Sequence, residues 1–208
     1  MADYLRDPDE IYRRSFAAIR AEADFADLPT DIADVAIRLI HACGMTDIVG
    51  DLAFGGDVTP VARRALTAGA PVICDVRMTA DGIIRARLPA ANDVICEIGA
   101  ANTVRIAKAS RTTRSAAAVE LWRSRLAGAV IAIGNAPTAL FRLLEVIAEG
   151  AAPPAAILAF PVGFVGAAES KEALIESACG VPFMALRGRR GGSALAAAAV
   201  NALAGEPT

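Results

Sequence analysis

Ala129-Val130-Ile131-Ala132-Ile133-Gly134, running on through Asn135-Ala136-Pro137-Thr138 into a segment of helical period from Thr138 to Glu149, is the stretch on which the fold turns. The apolar run is too short for a helix and too uniformly apolar for a sheet with one solvated face. It therefore predicts a strand buried on both sides. Working outward, runs of the same kind recur at residues 71–76, 93–98, 155–160 and 182–186. Helical segments fit between and after the later runs, at 115–126, 170–179 and 193–203. The connection 78–89 reads equally as a turn, a short helix or a hairpin. Strands alternating with helices predict an α/β fold, a three-layer α/β/α sandwich around a mainly parallel sheet of about five strands.

Ahead of this pattern lies a helical N-terminal part, so a single domain over 1–208 divides into residues 1–70, helical, and 71–208, alternating. Asp7-Pro8-Asp9-Glu10 is a helix start, with Asp7 as N-cap and Pro8 at the first helical position. Tyr12, Phe16, Ile19 and Ala23 then fall on one stripe. A second helix begins near Thr30, turns Ile32, Val35 and Leu39 inward and ends at Gly44, a good left-handed terminator. Thr59-Pro60 opens a third helix that closes at Gly69.

With 55% hydrophobic and 21% charged residues, the 208-residue chain can bury a sizeable core. Charges, glycines or prolines interrupt every apolar run well short of the ~20 residues of a membrane span. The N-terminus is acidic and lacks a signal-peptide pattern, from which a cytoplasmic chain is expected. A net charge of -2 with few aromatics argues against nucleic acid. Cys43, Cys74, Cys96 and Cys179 are scattered, with no second histidine to complete a zinc site, and read as buried thiols. Of the 21 basic residues only Lys108 and Lys171 are lysines, and arginine forks suit carboxylates.

His41 is the only histidine. It falls in the last turn of the second helix, where unpaired carbonyls favour an imidazolium by ~0.3 to ~1 kcal/mol. Arg38, one turn earlier, opposes that protonation unless a bound carboxylate neutralises it. In parallel sheets ligands sit beyond the carboxyl ends of the strands. The loops there, 134–138, 161–171 and 187–193, are rich in glycine and lead into helix N-termini, which suggests an acidic small molecule. Residues 165–172 do not make a phosphate loop, because Val165 and Ser170 stand where its glycines belong.

Seven segments, in this order and spacing, resemble the precorrin-8X methylmutases of corrin ring biosynthesis over nearly the whole chain. They are Ile11-Tyr12-Arg13-Arg14-Ser15-Phe16, Ile40-His41-Ala42-Cys43-Gly44, Ala68-Gly69-Ala70-Pro71, Thr113-Arg114-Ser115-Ala116-Ala117, residues 134–140, residues 161–171 and residues 187–193. The resemblance implies an isomerase that moves a methyl group between adjacent carbons of a tetrapyrrole, converting precorrin-8X to hydrogenobyrinate by a formal sigmatropic shift without a cofactor or bound metal. By the same resemblance His41 is the proton donor and acceptor, and Ser15 and Arg38 touch the substrate. Arg114 and Arg189 would pair with peripheral carboxylates, while Ser115, Asn135, Gly163 and Ser193 line the loops and helix starts that receive the others. A homodimer with sites near its interface, and hand-over to the next corrin-pathway enzyme, are also implied. Thr79 departs from the family pattern, which has valine there, and would add a hydroxyl to an apolar wall if it faced the macrocycle. A cobalt-precorrin-8 methylmutase, a non-catalytic corrinoid carrier and a nucleotide-dependent α/β enzyme are the alternatives. The failed glycine motifs weigh against the nucleotide enzyme.

Overall fold

The computed structural model describes residues 4–177 and 179–205. Its first part holds α1 (Pro8–Glu22), α2 (Thr30–Cys43), a 3-10 turn (Thr46–Asp51), β1 (Leu52–Gly55) and α3 (Val58–Thr67). Next come β2 (Val72–Cys74), α4 (Arg77–Asp81), a second 3-10 turn (Arg85–Arg87), β3 (Val94–Ile95), α5 (Ala101–Ala109) and α6 (Arg114–Trp122). The chain continues through β4 (Val130–Ile133), α7 (Pro137–Ala148), β5 (Ala156–Ala159), α8 (Ala167–Glu176), β6 (Phe183–Leu186) and α9 (Ser193–Ala204). No helix among the described residues is long and apolar enough to cross a membrane.

All five expected strands are present, in one sheet of order β1-β6-β5-β4-β2-β3 whose pairs are parallel except β1 with β6. The expected count of about five is corrected to six among the described residues. The extra strand, β1, lies in the part read as helical and runs antiparallel to β6, with Leu52 opposite Leu186 and Gly55 opposite Phe183. Three apolar residues ahead of two glycines carry no readable period, and only the free edge of β6 makes them a strand. Several helical bounds move, α8 starting at Ala167 rather than 170 and α6 closing at Trp122 rather than 126, and helix α5 was not anticipated.

Side-chain alternation along the strands divides the core into two layers. Val72, Cys74, Val130, Ala132, Leu158 and Met184 face a cluster built from α2, α3 and α9. Ile73, Ile131, Ile133, Ile157 and Ala185 face a cluster built from α6, α7 and α8. Each fully buried Ile or Leu contributes about 1.5–3 kcal/mol of transfer free energy, so both faces must be covered. Of the four cysteines, all free thiols, only Cys74 is fully buried, where burial pushes its thiol up and keeps it protonated; the other three are partly exposed.

β2 and β4 are neighbours at the sheet centre, yet β3 lies outside one and β5 outside the other. This is the point where strand order reverses, and a crevice opens beyond the carboxyl ends of such a pair.

Candidate active site

Helix α1 begins at its Asp7 cap, whose Oδ1 accepts from the backbone N–H of Asp9 at 3.0 Å and of Glu10 at 3.4 Å. Glu10 itself pairs with Arg13 and Arg14 rather than closing a capping box. Phe16 and Ile19 are buried, which seats α1 on α2. α2 ends as its Gly44 takes φ 70°, donating to the Ile40 carbonyl at 2.7 Å. His41 is thereby left in the last turn, its side chain exposed.

One helical turn on α1 is matched by one turn on α2. Ser15 Oγ lies 2.9 Å from His41 Nδ1, and Arg38 Nη1 donates to the Tyr12 hydroxyl. The imidazole stacks on Phe16 with centroids 5.0 Å apart and meets the Tyr12 ring edge-on at 5.5 Å. The Arg38 guanidinium sits over Phe16 at 5.2 Å and Tyr12 at 5.7 Å, while its Nε is buried with no partner. A buried donor left unsatisfied is costly.

Tyr12, Arg38 and His41 line a cleft of about 320 Å³ with Arg87, Ile84 and the α9 residues Ala194, Ala197, Ala198 and Asn201. Small side chains make the α9 wall flat. A second cavity of about 370 Å³ lies past the end of α2, bounded by Met45, Gly163, Phe164, Arg189 and Arg190. There the Gly163 N–H donates to the Arg189 carbonyl at 3.1 Å, and the Arg189 guanidinium lies over the Phe164 ring at 5.3 Å.

Asp75, wholly buried at the end of β2, ties the central crevice together. Its carboxylate accepts from the N–H groups of Gly134, Asn135 and Ala136 at 3.0, 2.9 and 2.8 Å. The Thr79 hydroxyl is a fourth donor, at 3.4 Å. Burial pushes its pKa up against the lowering effect of these bonds. Thr79 is itself wholly buried and turned to Asp75, so its hydroxyl is not part of an exposed wall. Lys171 is also wholly buried and donates to the Arg190 carbonyl at 2.7 Å. Burial pushes it down to about 8 despite the pull of Glu172 and Asp51.

Arg38 and His41 thus line one cleft, with Ser15 bonded to the imidazole, and Gly163 and Arg189 line another. Asn135 is exposed on the loop that Asp75 holds. Ser193 is nearly buried where α9 crosses β4, so its hydroxyl offers little to a ligand. Arg114 is exposed at the start of α6, whose Thr113 cap bonds the Thr138 hydroxyl at 2.8 Å; neither Arg114 nor Ser115 lines either cleft. Sequence reasoning missed Tyr12 as a site residue, assigning it to the buried stripe, although its one-turn spacing from Ser15 was a usable signal. Arg87 and Asn201 carried no such signal. Asp75 could have been noticed as a lone charge within an apolar strand run.

A family model described as CbiC, precorrin-8X methylmutase, matches residues 10–206. A precorrin-8X methylmutase of Pseudomonas aeruginosa is 58% identical over 206 residues, covering 99% of each chain. A cobalt-precorrin-8 methylmutase of Priestia megaterium is 33% identical over 94% of this chain and 87% of its own. The crystal structure of a precorrin-8X methyl mutase from Thermus thermophilus superposes with a TM-score of 0.85 at 36% identity, covering 94% of both chains. The match over nearly the full length, on a shared fold, places the chain in the precorrin-8X methylmutase family.

Proposed function

We propose that His41 is the proton donor and acceptor of this isomerase of cobalamin biosynthesis, acting on a tetrapyrrole bound along the α9 wall. The observation that carries the reading is the 2.9 Å bond between Ser15 Oγ and His41 Nδ1. With Nδ1–H donating to the Ser15 hydroxyl oxygen, the imidazolium carries its second proton on Nε2, which gives it to the substrate and afterwards takes it back. Phe16 and Tyr12 hold the ring plane. Protonation of the conjugated macrocycle makes the receiving carbon more electrophilic, the methyl group migrates, and the same imidazole takes the proton back. Arg38 offers its guanidinium to a peripheral carboxylate, and Arg189 with Gly163 receives another in the neighbouring cavity. Ser15 thereby changes from a substrate contact to the group that orients the imidazole.

Precorrin-8X is favoured over its cobalt-containing counterpart because identity is 58% to the relative named for the first and 33% to one named for the second. We extend the proposal to a cytoplasmic homodimer that passes hydrogenobyrinate to the next enzyme. Exposed Phe164 and Val165, beside Gly163, support a subunit contact at this loop.

The test is His41→Ala. Conversion of precorrin-8X, followed by absorption, should fall about 10²- to 10⁴-fold while hydrogenobyrinate still binds. Undiminished conversion would overturn the proton role, and a wild-type protein that binds without converting would favour the carrier.

A further inference from the structure

The Arg85–Arg87 turn is built tightly against α9. Asn201 Oδ1 accepts from the Ile84 N–H at 2.8 Å, and Asn201 Nδ2 donates to the Gly82 carbonyl at 3.0 Å. Gly82 lies so close to α9 that a Cβ there would stand 2.8 Å from Ala197 Cβ. The Arg87 N–H then closes the turn on the Ile84 carbonyl at 2.9 Å. The segment is therefore fixed, and it projects a half-buried arginine into the wall of the His41 cleft.

Among the described residues the Arg87 guanidinium has no hydrogen bond, ion pair or ring contact, in a protein where Arg13, Arg14, Arg123, Arg142, Arg187 and Arg190 are all paired with carboxylates. Partial burial without a partner leaves a fork of donors unused. Arg38 lines the same cleft. Two cations lining one cleft repel each other until an anion arrives between them.

We propose that Arg87 is a further substrate-binding residue, pairing with a second peripheral carboxylate of the tetrapyrrole, and that Asn201 is its positioning residue. This rests on the reading of the His41 cleft as the tetrapyrrole site. Arg38 and Arg87 fix two points of the ligand rim, and two anchored points set its rotation about the ring normal. That rotation selects which ring carbon stands next to His41, so Arg87 acts on regiochemistry as well as on affinity.

The experiment is an absorption titration with hydrogenobyrinate, with steady-state conversion of precorrin-8X, for wild type, R87Q, R87K and R38Q. R87Q should raise Kd and KM about tenfold and lower kcat severalfold as the ring loses its register at His41, and R87K should recover much of the affinity by keeping the charge. Because Arg87 has no internal partner, R87Q should melt with the wild type. Wild-type affinity in R87Q, or a lowered melting temperature that R87K does not restore, overturns the proposal. If R38Q alone weakens binding, the cleft reading stands and only Arg87 falls; if neither R38Q nor R87Q does, the cleft reading itself has failed.

Discussion

Lys171 shows how a single residue can be costly in one protonation state and useful in its geometry. Its ammonium is wholly buried, without a carboxylate in contact, and it holds the Arg190 carbonyl from beneath while Asp47 and Asp51 hold the Arg190 guanidinium from outside. The loop next to Arg189 is thereby fixed at both ends. Burial lowers the Lys171 pKa to about 8 from its ordinary 10.5. Between those values the unfolded chain binds a proton the folded chain has released, so this group makes stability rise with pH; the cost of burying its charge is fully present below pH 8. Urea melts of wild type and Lys171→Met at pH 7.5 and pH 10 should therefore diverge, the wild type gaining up to a few kcal/mol relative to the variant. A constant difference across the window would show that the amine is not desolvated. Of the site residues, His41 was legible because it is the only histidine and precedes a helix-ending Gly44. Asp75 was not, because its four donors come from residues 79 and 134–136, and that juxtaposition exists only after β2 and β4 pair.

At the level of elements, α9 decides the shape of the site. It packs on α2 and α4, carries the alanine wall of the cleft and begins where β4 ends. The crossing is close: a Cβ on Gly134 would meet Ser193 Cα and Thr79 Oγ1, both at 2.6 Å. Gly134 is thus a matter of space rather than of backbone conformation. Gly134→Ala should destabilise the protein by about 1–3 kcal/mol, read as a lower urea midpoint, because backbone at the start of α9 must move. A variant as stable as wild type would mean that α9 can shift freely on the sheet. Helix α9 was predicted as 193–203 and found as Ser193–Ala204, yet its partners were not predictable, since an alanine-rich helix with buried residues all round has no distinct inward stripe. Strand β1 makes the opposite case, a weak local signal that pairing with β6 converts into structure.

Across the whole molecule, the clefts lie on either side of the α2 terminus, and among the described residues the two most exposed large apolar side chains sit on the loop beside one of them. Phe164 is 82% and Val165 89% exposed, on the loop that also carries Gly163. Side chains of this size left bare beside a site are suited to a subunit contact. The protein should sediment as a dimer, and Phe164→Ser with Val165→Ser should shift it toward monomer while raising KM. A dimer unaffected by both changes would place the contact elsewhere on the surface.

The sequence by itself determined the sheet class, five of its strands, the helix that ends at Gly44 and the histidine in its last turn. Each of these follows from local periodicity, capping chemistry or the rarity of a residue. Only the tertiary structure decided that Ser15 bonds His41, that Tyr12 holds Arg38 and that Arg87 enters the same cleft. Those contacts join residues 26 or more positions apart, and their distances are set by helix packing and strand order, which no local pattern records.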